Sequence, residues 1–397
     1  MKYGLYIIKK YGLYIIKIEC KEIKVAKPGF TKATRGNYAE QYYPNTEELG
    51  SDEMRIVALG TGRPFLRRSQ ANASWLIELG NGDKFVFDYG FGSQMNFTAL
   101  EMPYSDVKAW FTTHLHTDHV GDFGQVWVGS WAGGRLEPLE MYGPSGLEPK
   151  YGFKHFAEKQ MESYAWDTDT RVGALPAVGA EINIHEFDYS KTHVIYDENG
   201  VKITSFPAVH LFDGPVSLKL EWNGLTFVYS GDTTPSQFFV DNAKGADVVV
   251  HETFNTIEQL MDRSGYDERT ARAIGTYIHS APQEAAVVLK EVNPRLAVIF
   301  HFFNDFDTAP EMQDKVREHY KGPLAMATDF MVINATKDEI VTRMTEFSDH
   351  VWPNKSKHGG FGKAKRKKMT ELSPWLKEAQ LFPKFLSDRG LVNEDEL

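Results

Sequence analysis

At 397 residues, with 42% apolar and 13% aromatic side chains, the chain can bury a sizeable core, which excludes global disorder. A lone cysteine, Cys20, rules out an internal disulfide and a cysteine-built zinc site, so any metal must be held by His, Asp or Glu. The formal charge of −10 is uneven: residues 1–27 hold seven lysines and 355–368 hold seven Lys/Arg, leaving a more acidic body that attracts nucleic acid poorly.

The chain opens on an exact duplication, with residues 2–9 and 10–17 both reading KYGLYIIK. β-branched and aromatic residues favour short strands, and two copies are too few for a solenoid. An edge hairpin, an accidental duplication and an artefact all remain open. Residues 1–51 are read as an N-terminal extension and 52–345 as the catalytic body. Within that body strands are predicted at Arg55–Leu59, Ser74–Leu79, Lys84–Tyr89, Val107–Thr113, Val201–Phe206, Leu225–Ser230, Asp247–His251 and Leu296–Phe302. Helices are predicted at Pro149–Tyr164, Thr256–Met261 and Pro282–Val292, the last started by Ser280, Pro282 and Gln283. Several strands are continuous apolar runs, as in sheets covered on both faces. A layered α/β sandwich accommodates them. Periodicity fades beyond residue 345, so 346–397 reads as a basic linker, flexible over 354–368, and an appendage that is helical at most. No apolar run approaches the roughly 18 residues of a membrane span, and no export signal is legible; no membrane association and a cytoplasmic location are expected.

The strongest chemical signal is Thr113-His-Leu-His-Thr-Asp-His119, directly after an apolar strand. Imidazole and carboxylate are good Zn²⁺ ligands, and four such groups in six positions leave room for more than one ion. Further candidates close later apolar strands: His210 after FPAV, Asp232 after FVYSG and His301 after AVIF. A scaffold that delivers each group from a strand's C-terminal end converges distant residues on one site.

HLHTDH resembles the HxHxDH hallmark of the metallo-β-lactamase superfamily, and the chain most resembles its tRNase Z branch, the zinc phosphodiesterases that trim tRNA 3′ ends. With that run included, eight motifs stand in that branch's order. They are Leu59-Gly-Thr-Gly62 with Pro64 and Arg68, Phe87-Asp-Tyr-Gly-Phe-Gly-Ser-Gln94, the HLHTDH run itself, Tyr142-Gly-Pro-Ser-Gly146, Ser230-Gly-Asp-Thr233, His251-Glu-Thr-Phe254, and His279 to Ala285 followed by His301-Phe302. The likeness covers about residues 55–305. It implies an αββα sandwich of two mixed sheets flanked by helices. It also implies two Zn²⁺ per chain, with Mn²⁺ or Fe²⁺ as alternatives. One ion would rest on His114, His116 and His210, the other on Asp118, His119 and His301, with Asp232 bridging. His279, Glu252 and Asp118 form the implied catalytic set, His279 protonating the leaving oxygen and Glu252 orienting it. Two such cations ionise a shared water near neutral pH and neutralise developing oxyanion charge. Asp88 and Asp122 are candidates for orienting the imidazoles, or simple turn formers. A homodimer is expected by analogy alone.

Three features depart from the tRNA-processing pattern. Where those enzymes place Ser and a nearby Arg, this chain reads Phe303-Asn304-Asp305-Phe306-Asp307, acids in place of a phosphate-binding cation. Residues 147–209 contain no basic arm and include an acidic stretch. Trp127 and Trp131 stand four apart; on a helix they would share a face, which belongs to the core more readily than to a pocket. The primary expectation is therefore a dinuclear zinc hydrolase acting on a phosphodiester such as RNA. The alternative is hydrolysis of a small cyclic amide or ester, a β-lactam or lactone, since the sequence also resembles tRNase Z-like β-lactamases. Asp232 argues against a dedicated β-lactamase, where Cys or Ser is usual. A non-enzymatic, metal-ordered binding module is a third reading.

Overall fold

The computed structural model describes the backbone of Leu5–Lys10 and Leu13–Ile18, together with residues 38–172, 174–352 and 372–379. The duplicated segment pairs with itself. Its strands β1 (Leu5–Lys10) and β2 (Leu13–Ile18) form an antiparallel ribbon that is separate from both main sheets, so it is a hairpin but not a sheet edge. The predicted linker at 354–368 lies outside the described residues, and Pro374–Glu378 is a short helix within the appendage.

The first main sheet takes β3 (Gln41–Tyr42), β4 (Met54–Gly60), β5 (Ser74–Leu79), β6 (Lys84–Phe87), β7 (Ala109–Phe111), β8 (Leu139–Pro144) and β9 (Ile182–Phe187). The chain then crosses to a second sheet made of β10 (His193–Glu198), β11 (Val201–Pro207), β12 (Val216–Trp222), β13 (Leu225–Tyr229), β14 (Val248–Glu252), β15 (Leu296–Phe300) and β16 (Leu324–Met326). It returns to the first sheet as β17 (Met331–Ala335) and β18 (Ile340–Thr345). Lateral orders are β3-β18-β17-β4-β5-β6-β7-β8-β9 and β10-β11-β12-β13-β14-β15-β16. Both sheets are mixed: β6 to β9 and β13 to β16 run parallel, while β4 to β6 and β10 to β13 are antiparallel. This is the expected αββα sandwich.

Strand alternation explains the three-part core. Trp75, Ile77, Val298 and Phe300 point between the sheets, whereas Leu76 packs outward under one helical layer and Ala297 and Ile299 under the other. Both faces of β5 and β15 are thus covered, which is why these strands read as unbroken apolar runs. Trp75 meets Phe300 edge-on at 6.0 Å, and Phe87 stacks on Phe227 at 5.9 Å, clamping the sheets together beneath the site. Truncating Trp75 to Ala would cost about 3–5 kcal/mol.

Where the structure departs from the predicted boundaries, the cause is the site itself. β6 stops at Phe87, short of Tyr89, because Asp88 adopts φ 57°. β15 stops at Phe300, short of Phe302, because His301 adopts φ 71°. β7 is short because the amide of Thr113 donates to the Asp88 carboxylate rather than to a strand, at 2.8 Å. Non-glycine residues in the left-handed region are strained and concentrate at functional sites. The helix Pro282–Val292 starts as expected at Pro282, but its N-cap is Ala281 and its amide is taken by Glu284 Oε2 at 2.9 Å. Ser280 instead donates to the Thr233 carbonyl. Among the described residues no helix is long and apolar enough to cross a membrane.

Candidate metal centre

β7, β11, β13, β14 and β15 all release their side chains at the same edge of the sandwich. His114 and His116 leave β7, and a single turn, Thr117–Val120, carries Asp118 and His119 back over the strand ends. His210 follows β11, Asp232 follows β13, Glu252 closes β14 and His301 follows β15. Gly231 makes the approach possible: at φ 58°, a Cβ there would lie 2.8 Å from that of Thr113. His279 comes from the segment between the turn Ala273–Ile278 and the helix Pro282–Val292.

The seven residues expected to bind metal fall into two tetrads that share Asp232. His114, His116, His210 and Asp232 form one; Asp118, His119, His301 and Asp232 form the other, with donor atoms within 4.8 Å of one another in each. His116 Nδ1 lies 3.0 Å from His114 Nε2 and 3.2 Å from His210 Nε2. Asp232 turns Oδ2 toward His114 and His210 (3.7 and 3.8 Å) and Oδ1 toward His119 and His301 (3.2 and 3.4 Å). Ligands about 2.0–2.1 Å from a tetrahedral ion stand roughly 3.4 Å apart, so the donor spacing fits a divalent cation in each tetrad. Asp118 Oδ1, His119 Nε2 and Asp232 Oδ1 are sealed from solvent without a hydrogen-bond partner, which also suits a bound ion.

The electrostatics agree with that fit. Burial, reinforced by neighbouring imidazoles, holds His114 well below the ordinary histidine range and His116 down to about 4, so both are neutral donors. Burial also opposes charge on His119, but Asp232, Asp88 and Asp118 outweigh it and push this imidazole well up. Three buried carboxylates therefore call for positive charge, and among the described residues no lysine or arginine ion pair supplies it.

Outer contacts fix each ring. Asp88 takes His119 Nδ1 at 2.7 Å and the hydroxyls of Thr113 and Tyr229 at 2.8 Å each. Thr113 Oγ1 lies 3.2 Å from His114 Nδ1, and the Ile278 carbonyl 2.8 Å from His210 Nδ1. Asp122 plays no such part: it caps the Gln94 amide at 3.0 Å, as a turn former does. His279 Nδ1 meets Glu252 Oε1 at 3.1 Å, and its ring stacks on Phe254 with centroids 4.4 Å apart. Burial, with Asp232 nearby, pushes Glu252 well above the carboxylate range. Glu252, His279 and His301 form a third close group that shares His301 with the second tetrad.

The surroundings correct one expectation and bear out another. Asp305 and Asp307 are not free acids facing the site, for they pair with Arg67 and Arg263. Trp127 and Trp131 are core residues whose indoles donate to Ala180 and Pro176 carbonyls at 2.9 Å. Sequence reasoning also missed a cavity of about 390 Å³ beside His114, His116 and His210. Its walls include Leu115, Tyr151, Phe156, Leu211 and Phe212. Lys150 and Lys159 reach it too, but each is paired, with Glu148 and Glu162. No spacing rule signals this wall, because it is assembled from the Pro149–Ser163 region and the loop after His210. Tyr229 and Arg63, the latter beside Phe254, were missed likewise.

A family model for the metallo-β-lactamase superfamily matches residues 67–301. The chain belongs to the metallo-β-lactamase superfamily. Within it, ribonuclease Z of Myxococcus xanthus (strain DK1622) is 30% identical over 314 residues, covering 70% of this chain and 96% of the relative. Ribonuclease Z of Mycobacterium marinum (strain ATCC BAA-535 / M) is 27% identical over 255 residues, 63% of this chain and 86% of the relative. Two solved structures share the superfamily fold. Human tRNase Z, short form, superposes with a TM-score of 0.52 at 19% identity, covering 70% of this chain and 98% of that one. The metallo-β-lactamase fold protein YhfI from Bacillus subtilis reaches 0.54 at 16%, covering 72% and 100%.

Proposed function

We propose that this superfamily member is a dinuclear zinc-dependent hydrolase that cleaves phosphodiester bonds, with RNA as the natural substrate class. The observation that carries the proposal is the pair of tetrads sharing Asp232, one carboxylate oxygen turned toward each. Two divalent ions bound there would provide Lewis acidity and lower the pKa of a shared water toward neutrality. His114, His116 and His210 would hold one, Asp118, His119 and His301 the other, with Asp232 common to both. Asp88 holds the His119 tetrad in register through Nδ1, while the Ile278 carbonyl does the same for His210. His279 Nδ1 faces Glu252 Oε1 at 3.1 Å, so in the imidazolium form Nδ1–H would be held by that carboxyl while Nε2–H would protonate a departing alkoxide. The ribonuclease Z relatives support RNA as the substrate class.

A second reading has its own observation: the cavity beside His114, His116 and His210 carries an apolar wall of Leu115, Phe156, Leu211 and Phe212, and its lysines are already paired. Such a wall suits a small organic amide or ester, including a β-lactam. Turnover of bis(p-nitrophenyl) phosphate and nitrocefin, measured side by side on zinc-loaded protein, ranks the two. The proposal expects phosphodiester hydrolysis that a chelator abolishes and Zn²⁺ restores; turnover of nitrocefin alone rejects it.

A further inference from the structure

Arg63 is a buried cation with no anionic partner among the described residues. The residue is 3% exposed, and its Nε is sealed from solvent with no acceptor. Among the described residues no carboxylate pairs with it; the nearby acids Asp305 and Asp307 are engaged by Arg67 and Arg263. Leaving a guanidinium uncompensated in the interior is costly, so such a group calls for a partner from outside the chain.

Its surroundings define what that partner is. The guanidinium carbon lies 3.9 Å from the centre of the Phe303 ring and 4.5 Å from that of Phe254, so aromatic faces flank it. Phe254 in turn stacks on His279 at 4.4 Å and 13°. The flanking rings offer the guanidinium no hydrogen-bond acceptor in their planes, and its planar fork of N–H donors matches phosphate oxygens. The backbone beneath it is held rigidly: the Asn72 side chain donates to the Arg63 carbonyl at 2.6 Å, and the His301 amide donates to the Thr61 carbonyl at 2.9 Å. The cation is therefore tied to the same strand end that supplies His301, yet stands apart from both tetrads.

We propose that Arg63 is an anion-anchoring residue that takes a second phosphate of the substrate, next along the same strand from the phosphodiester being cleaved. This rests on the phosphodiesterase reading above and adds a subsite to it. A substrate carrying two neighbouring phosphates would engage the tetrads with one and the Arg63 guanidinium with the other, and a lone phosphodiester would forgo the second contact.

The test compares a dinucleotide with the same dinucleotide bearing a terminal 5′- or 3′-phosphate, on zinc-loaded wild type, Arg63→Met and Arg63→Lys. Binding is read by calorimetry in parallel with KM and kcat. Wild type is expected to bind one phosphorylated form about tenfold more tightly than the unphosphorylated form, as a charge-assisted fork should allow. Arg63→Met is expected to bring that ratio to near one, and Arg63→Lys to recover part of it. A purely packing role would alter stability but leave the ratio intact. A wild type without the preference, or an Arg63→Met variant that keeps it, overturns the proposal. Preferential binding without any phosphodiester turnover would leave the Arg63 subsite standing and reject the phosphodiesterase reading instead. Should Arg63→Met fail to fold by thermal melting, Arg63→Gln carries the same comparison.

Discussion

Asp88 Oδ2 stands 2.7 Å from His119 Nδ1, with both side chains fully buried. The carboxylate also takes the Thr113 amide and hydroxyl and the Tyr229 hydroxyl, so the positions of β6, β7 and β13 all converge on it. That network orients His119 Nε2 toward Asp232. Asp88→Asn keeps the shape but turns an acceptor into a partial donor. Metal affinity is expected to fall about 10–100-fold, as for other partners of ligating histidines. Competition against a chromophoric chelator measures this, and an affinity equal to wild type would show that Asp88 orients nothing.

The shared carboxylate makes a stoichiometric prediction. Wild type should retain two metal ions per chain, and His116→Ala and His301→Ala about one each, because each belongs to a single tetrad. Asp232→Ala should retain one or none. Elemental analysis after gel filtration decides this; a His116→Ala variant that holds as much metal as wild type would remove that residue from the site.

His279 should matter in proportion to the leaving group. With Nδ1 bound to Glu252 at 3.1 Å, its Nε2 is the nitrogen available to a departing oxygen. His279→Ala is expected to slow an alkyl leaving group about 10²–10⁴-fold and an acidic nitrophenol much less. Equal losses with both would assign His279 a structural role.

His251 makes the fold acid-sensitive. It is fully buried, and burial holds its imidazole down to about 4, with Nδ1 against the Glu252 carbonyl at 2.6 Å. The unfolded chain takes up this proton near pH 6.5 and the folded protein only near 4, so stability present above 6.5 is lost as pH falls through that window. The loss attributable to this residue is on the order of 3 kcal/mol at pH 4. Denaturant melts at pH 7 and pH 5 should therefore show a steeper decline for wild type than for His251→Gln. Parallel declines would mean that other groups set the acid limit.

Much of this protein is written locally. The HLHTDH run, and apolar strands ending in His210, Asp232 and His301, mark the metal-competent residues because ligand chemistry depends on residue type. Strand periodicity likewise marks β5, β11 and β15, whose neighbours along the chain decide which faces are apolar. Nothing local separates Asp88 from Asp122, both acids in turn-like segments. Packing does: one is enclosed by β7 and β13 and meets His119, while the other caps the helix start at Gln94.

The sequence by itself determined the superfamily, the sandwich and the inventory of groups able to bind a cation. Only the tertiary structure decided how far each strand runs, since Asp88 and His301 leave the sheet at positive φ where the site draws them in. It also decided that Trp127 and Trp131 are core, that Asp305 and Asp307 are neutralised by Arg67 and Arg263, and that Arg63 lies against the rings of Phe254 and Phe303. The physical reason is range. Residue type and periodicity act between near neighbours, whereas ring contacts such as Arg63 with Phe303 join positions 240 apart, a separation that no local pattern encodes.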